Sequence, residues 1–279
     1  MTEEEKSRIR GKRLFLLDMD GTIYLDETLF DGTLDFLAAV KAAGGRYIFL
    51  TNNSSRGTEA YIEKMRRLGI AAVPEDFVTS ADAAIEYLSE NFGTERKMYV
   101  CGTESLKQML RDAGFQVAEE PDADVEMVLL GYDTELNYKK LTDCCRLLNR
   151  GVRYAATHPD LVCPVSYGFA PDCGSVINML ETATGRRPLV IGKPEPAMPL
   201  LAMKRTGFSP EETAVVGDRL YTDVACGLNA GIDAVFVLSG EGVRSDIEKY
   251  RIQPSFVLEN IRELCDIFTG RDGGKEPKA

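Results

Sequence analysis

Asp18-Met19-Asp20-Gly21-Thr22 places two carboxylates directly behind the apolar run Leu14-Phe15-Leu16-Leu17. A short apolar run of this kind reads as a buried strand, so both acids emerge where a hydrophobic strand leaves its sheet. Residues two apart on an extended chain point the same way, which directs Asp18 and Asp20 toward one small volume. Two acids that close repel each other unless a cation lies between them or one keeps a proton. The arrangement suits a metal-assisted nucleophile beside a general acid. A calcium loop fails on spacing: counted from Asp18, its fifth, sixth and twelfth positions are Thr22, Ile23 and Leu29, not acid, Gly and Glu.

Three more polar clusters each follow an apolar run. Thr51-Asn52-Asn53-Ser54 follows Tyr47–Leu50, Gly192-Lys193-Pro194 follows Leu189–Ile191, and Gly217-Asp218-Arg219-Leu220-Tyr221-Thr222-Asp223 follows Ala214–Val216. Taken singly, each is ordinary turn or helix-capping material. Taken in order behind four strands, they fit phosphoryl transfer, in which anionic oxygens must be held, neutralised and attacked in line. Thr51 offers a hydroxyl, Asn52 an amide or backbone N–H, and Lys193 a cation. Asp218 joins Asp18 as an oxygen donor suited to Mg²⁺. Lysine and magnesium keep Asp18 ionised and nucleophilic, while Asp20, crowded by anions, is the carboxyl expected to hold a proton.

The elements that must position these residues alternate between apolar runs and amphipathic segments, which reads as α/β with a mainly parallel, doubly wound sheet. Strands are expected at Leu14–Leu17, Tyr47–Leu50, Leu189–Ile191, Ala214–Val216 and Ala234–Leu238. Helices are expected at Leu34–Ala43, at Glu59–Leu68 and from Pro196 toward Arg205, the first two ended by glycines and the last opened by a first-turn proline. In open α/β sheets, sites form outside the carboxyl ends of the strands, so the four clusters converge. The middle of the chain has its own alternation: strands at Lys97–Cys101, Val125–Leu130 and Val152–Ala156, helices at Leu106–Ala113 and Tyr138–Asn149. This predicts a core at 1–82 and 183–269, an inserted smaller α/β domain at 83–182, and a disordered tail at 270–279.

Composition narrows the partners. Of 279 residues, 44% are hydrophobic and 28% charged, which is ordinary for a soluble globular chain. A net charge of −11 argues against nucleic acid or an anionic membrane as partner. No apolar run approaches the length of a span, and the charged N-terminus is unlike a signal peptide. Seven scattered cysteines with one histidine form no zinc pattern and read as reduced thiols in the cytoplasm.

With these residues in view, the chain resembles a haloacid dehalogenase superfamily phosphatase. The family's four motifs are matched by Asp18-Met19-Asp20-Gly21-Thr22, Thr51-Asn52, Lys193, and Gly217-Asp218 with Asp223. The resemblance implies that Asp18 is a phosphoaspartyl nucleophile and that Asp20 protonates the leaving alkoxide. It implies that Thr51, Asn52, Asn53 and Lys193 hold phosphoryl group and substrate. The implied Mg²⁺ is bound by the Asp18 carboxylate, the Asp20 carbonyl and Asp218, with Asp223 supporting a metal-bound water. About 140 residues separate Thr51 from Lys193, an interval that fits a C2-type cap. Ala155-Ala156-Thr157-His158-Pro159-Asp160, followed by Pro164 and Gly174, resembles the NagD-like (IIA) branch. That branch acts on small phosphate esters, and dimerisation through the cap is common in it.

Members of the branch often carry Asn-Pro-Asp and Pro-Gly-x-Gly where this chain has His158-Pro159-Asp160 and Pro171-Asp172-Cys173-Gly174. Both segments lie in the cap, so the departures bear on substrate choice. His158 reads as a structural turn residue. Asp172 reads either as a contact for a substrate hydroxyl or amine, or as the cap of a helix from Ser175. Tyr167 and Phe169 either line the substrate pocket or pack the cap. Two alternatives share much of this pattern. A receiver-type signalling module lacks an acid two residues past its aspartate, and a phosphotransferase or phosphomutase differs only in the acceptor.

Overall fold

The computed structural model describes residues 1–165 and 167–271; the expected tail lies, beyond residue 271, outside the described residues. The strands are β1 (Leu14–Leu17), β2 (Tyr24–Leu25), β3 (Thr28–Leu29), β4 (Arg46–Thr51), β5 (Phe77–Thr79), β6 (Lys97–Cys101), β7 (Gln116–Ala118), β8 (Met127–Leu130), β9 (Arg153–Ala156), β10 (Val162–Val165), β11 (Gly168–Pro171), β12 (Leu189–Val190), β13 (Thr213–Gly217), β14 (Asp233–Val237) and β15 (Phe256–Leu258). The helices are α1 (Glu3–Arg10), α2 (Thr33–Ala42), α3 (Glu59–Arg67), α4 (Ser80–Asn91), α5 (Glu104–Asp112), α6 (Tyr138–Asn149), α7 (Cys173–Thr184), α8 (Ala197–Thr206), α9 (Ala225–Asn229), α10 (Asp246–Tyr250) and α11 (Ile261–Thr269).

The chain forms two compact units. The first is Met1–Leu50, Ile62–Val78 and Pro199–Ala279; the second is Thr51–Tyr61 and Thr79–Met198. The sheet of the first unit runs β15-β14-β13-β1-β4-β5, with β1 parallel to both β13 and β4. Every residue of β1, β13 and β14 is buried, as parallel strands covered on both faces require. Phe15 on β1 meets Phe36 on α2 and Phe268 on α11 edge-on, at 4.9 and 5.3 Å between centroids, the geometry aromatic quadrupoles prefer. Helix α1, absent from the sequence reading, opens with a capping box between Thr2 and Glu5. It is pinned by Arg8, which with Lys12 pairs to buried Asp233.

The second unit has its own parallel sheet, β12-β9-β8-β6-β7. Its core gathers Val128 and Leu130 of β8, Leu147 of α6, Ile177 and Leu180 of α7, and Cys101, Cys144 and Cys173. Tyr99 lies in the same core and donates from its hydroxyl to Asp143 at 3.1 Å. All seven cysteines are free. An antiparallel hairpin, β10–β11, carries Tyr167 and Phe169, 81% and 69% exposed. Neither packs the core of its unit.

One assignment is corrected. Leu189–Ile191 was expected in the core sheet with the segment 183–269, but β12 pairs in parallel with β9 at Leu189–Ala155 and Val190–Ala156. It is an edge strand of the second sheet, and the chain passes to the first unit only near Pro199. A short apolar run records that a strand forms, not which sheet receives it. No helix among the described residues is long and apolar enough to cross a membrane.

Candidate active site

In the first unit, β1 ends at Leu17 and delivers Asp18, while β13 ends at Gly217 and delivers Asp218. The Asp18 N–H donates to the Val216 carbonyl at 2.9 Å, tying the two strand ends together. The strand order reverses between them: β4 and β5 extend to one side, β14 and β15 to the other. Open α/β sheets bind ligands at such a switch point. A wide helical turn over Leu220–Val224 brings back Asp223, whose N–H donates to the Arg219 carbonyl at 2.9 Å. One carboxylate oxygen each of Asp18, Asp218 and Asp223 then lies within 4.8 Å of the others.

Asp218 is clasped from several sides. Its carboxylate accepts from the Glu241 N–H at 2.7 Å and faces the Thr22 hydroxyl at 3.4 Å. A Cβ on Gly21 or Gly240 would overlap that carboxylate. Arg219 donates from Nε to Glu241 at 2.9 Å, and its N–H donates to Asp223 at 3.1 Å. Burial works against the Arg219 charge, but Glu241 and then Asp18, Asp223 and Asp218 more than restore it. Burial, with the charge of Asp223 second, pushes Asp218 up to about 6.

Three carboxylates in one largely buried volume are mutually repulsive unless a cation or proton intervenes. The donor set is all oxygen, which suits Mg²⁺. The residues present therefore fit a divalent cation. Asp20 is not in the cluster of three. Its backbone bridges to Tyr24 and its side chain reaches solvent. Partial burial still raises its carboxyl; Lys64 and Arg219 pull it down, and Asp26 pushes it up.

In the second unit, Asn52 and Lys193 are bound to each other. Asn52 Oδ1 accepts from the Lys193 N–H at 2.9 Å, and Asn52 Nδ2 donates to the Lys193 carbonyl at 3.0 Å. The same Nδ2 donates to Asp160 at 3.1 Å, and the Ser80 hydroxyl donates to the Asn52 carbonyl. Thr51, the last residue of β4, accepts from the Asn53 N–H at 3.2 Å. Asn53 turns its side-chain oxygen onto Ser55, accepting from N–H and hydroxyl at 2.9 and 2.7 Å. Its amide therefore shapes its own loop.

His158 is fully buried. Its Nε2 lies 3.0 Å from Asp172 Oδ1 and its Nδ1 2.9 Å from the Thr157 hydroxyl. Asp172 caps α7, accepting from the Cys173 N–H at 2.5 Å. Of its two sequence readings, the structure displays the cap, with the helix beginning at Cys173 rather than Ser175. His158, Asp160 and Asp172 also bring ligand atoms within 4.8 Å of one another, but both imidazole nitrogens are already engaged by protein partners. That cluster is satisfied without a cation.

Ser80 and Glu241 were not found from sequence. Their partners lie 28 and 23 residues away, and no local pattern marks either. Arg219 carries one signal, its place beside Asp218.

The description Haloacid dehalogenase-like hydrolase matches residues 15–116, and a second, HAD-hydrolase-like, matches residues 190–264. An acid sugar phosphatase of Staphylococcus aureus (strain MRSA252) is 32% identical over 251 residues, covering 90% of this chain and 96% of that protein. Among solved structures, a 4-nitrophenylphosphatase of Thermotoga maritima is 40% identical with a TM-score of 0.87, covering 94% of this chain and 99% of that one. A glycerol phosphate phosphatase of Mycobacterium tuberculosis in complex with magnesium is 28% identical with a TM-score of 0.84, covering 92% and 77%. The chain belongs to the haloacid dehalogenase-like hydrolases, in their NagD-like branch. Within that branch it is a phosphatase.

Proposed function

We propose that this chain hydrolyses a small phosphate monoester, with sugar and aryl phosphates as the leading candidates, through a phosphoaspartyl intermediate. The observation that carries the reading is the convergence of Asp18, Asp218 and Asp223 at the switch point of the first sheet. Support for the substrate class comes from relatives that are an acid sugar phosphatase and a 4-nitrophenylphosphatase.

Asp18 attacks phosphorus, forming the acyl phosphate as the P–O bond to the leaving group breaks. Asp20 gives its proton to the departing oxygen. It then takes a proton from the water that attacks the phosphoaspartate, releasing inorganic phosphate and restoring Asp18. Thr51 and Lys193 bind the phosphoryl oxygens, while the side chains of Asn52 and Asn53 seat Lys193 and shape the loop beside it. Asp18, the Asp20 carbonyl and Asp218 would hold Mg²⁺, with Asp223 behind them, and the ion supplies charge neutralisation at the phosphoryl group. The second unit takes the role of a C2-type cap that selects the leaving group and joins two copies. Free cysteines throughout fit a reducing cytoplasm.

Phosphate release from p-nitrophenyl phosphate, sugar phosphates, nucleoside monophosphates and glycerol phosphate tests the reading, with Mg²⁺ and with EDTA. Metal-dependent release that disappears in Asp18→Asn is expected. Near-parent turnover in that variant would remove Asp18 as nucleophile. Transfer to an added sugar in place of water would move the chain to the phosphotransferases.

A further inference from the structure

The His158–Asp172 pair belongs to a hydrogen-bonded row whose hydrogens run consistently one way. The Tyr132 N–H donates to Ser54 Oγ at 3.0 Å. With the imidazole hydrogen assigned to Nε2, facing the Asp172 carboxylate, Nδ1 accepts from the Thr157 hydroxyl, and Thr157 Oγ1 then accepts from the Ser54 hydroxyl at 3.0 Å. Each step is buried, where an unmade hydrogen bond is expensive.

The row holds the turn Thr157-His158-Pro159-Asp160 against the start of α7. The Asp160 carbonyl accepts from the Gly174 N–H at 2.7 Å, and the Leu161 carbonyl accepts from the Asp172 N–H at 3.0 Å. A Cβ on Gly174 would overlap the Pro159 carbonyl, so the helix can approach this closely only with glycine there. Two connections then run from the turn to Lys193. The Thr157 carbonyl accepts from the Gly192 N–H at 2.7 Å. The Asp160 carboxylate orients the Asn52 amide that brackets Lys193 on both sides.

We propose that His158 and Asp172 are positioning residues for Lys193, locking the Thr157–Asp160 turn that seats the Lys193 backbone. The inference rests on the reading of Lys193 as a phosphate-binding group. Neither residue touches substrate in this account; they act through Thr157, Asp160 and Asn52.

The test uses the full-length protein and inorganic phosphate as the probe. His158→Phe keeps a ring and removes its hydrogen bonds; Asp172→Ala removes the acceptor; Asp172→Asn keeps an oxygen in place. The first two are expected to raise the inhibition constant of phosphate and lower kcat/KM about tenfold, with Asp172→Asn within about threefold of the parent. Amide hydrogen exchange at Gly192 and Lys193 should quicken in the first two variants. Tyr99→Phe, which breaks the hydrogen bond to Asp143 elsewhere in the same core, should lower the melting temperature without moving either readout.

Unchanged exchange at Gly192 and Lys193 overturns the proposal. So does faster exchange with phosphate inhibition and kcat/KM intact, which would leave the pair a purely structural role. Should His158→Phe fail to fold, Asp172→Ala carries the same readouts. Lys193→Ala separates the two levels: phosphate inhibition unchanged there removes the reading of Lys193, while the exchange data still judge its link to His158.

Discussion

Asn52 holds the backbone of Lys193 at both ends, its Oδ1 accepting from the Lys193 N–H and its Nδ2 donating to the Lys193 carbonyl. Residues 141 positions apart in sequence are joined as two neighbours in a sheet ladder would be. The Lys193 backbone is thus fixed at both its N–H and its carbonyl by one side chain.

Asn52→Asp keeps the size and loses the donor. A second carboxylate then faces Asp160 and the Lys193 carbonyl loses its Asn52 donor, a loss of about 1–3 kcal/mol. Expressed in the transition state, that is a loss of roughly 5- to 150-fold in kcat/KM. Steady-state kinetics beside a thermal melt check it; an unchanged kcat/KM in a folded variant defeats it.

Asp20→Asn should discriminate between leaving groups. A departing alkoxide needs its proton and loses about 10²- to 10⁴-fold in rate without the acid. p-Nitrophenolate leaves unaided and should lose far less. Equal losses on glycerol phosphate and p-nitrophenyl phosphate would take Asp20 out of the acid role.

Asp218 predicts how metal and pH act together. Its carboxyl is raised to about 6 by burial and Asp223, above the unfolded value of about 3.9. A raised carboxyl favours the fold below its unfolded pKa and loses that contribution as pH climbs through its folded one. The metal-free protein should therefore shed stability between about pH 4 and pH 6 on this account. Mg²⁺ requires the ionised carboxylate, so its stabilising shift in melting temperature should be largest above pH 6.5 and shrink toward pH 5. A shift independent of pH across that window would contradict the assignment.

The ion pair under α1 makes the opposite prediction. Asp233 and Lys12 are each about 5% exposed and 2.7 Å apart. Burial opposes the Asp233 charge, but hydrogen bonds from Arg8 and Lys12 hold its carboxyl below the usual range. Asp233→Ala strands a buried lysine and should cost about 3–5 kcal/mol with kcat/KM intact. The cost should be full above about pH 4 and fade as pH falls through the lowered folded pKa. Chemical denaturation at pH 7 and pH 3 measures it.

The sequence was most readable where chemistry and strand ends coincide. Leu14–Leu17 and Lys97–Cys101 are strands with the bounds expected, and α6 spans Tyr138–Asn149 as read. Their signals are local: a continuous apolar run, an Asn137 cap. Asp18 and Asp218 were recognisable because each directly follows a buried strand, whereas the role of Asp223, inside the turn Leu220–Val224, came only from the family resemblance. Partner choice was not readable. β12 looked like any buried strand, and its pairing with β9 depends on residues more than thirty positions away. The two-residue strands β2 and β3 carry no periodicity to detect. His158 reads as a turn residue and Asp172 as a substrate contact or a helix cap, because nothing local to either shows that they face each other.

Gly21 and Gly240 have a consequence for how the chain can change over generations. Both stand where any side chain would overlap the Asp218 carboxylate, and Gly21 also has a positive φ of 84°. Gly44 and Gly69, with equally left-handed backbones, face open space; asparagine there costs little more than conformational preference. Substitution is thus cheap at the outer turns, whereas a side chain at Gly21 or Gly240 must displace the Asp218 carboxylate that accepts from the Glu241 N–H.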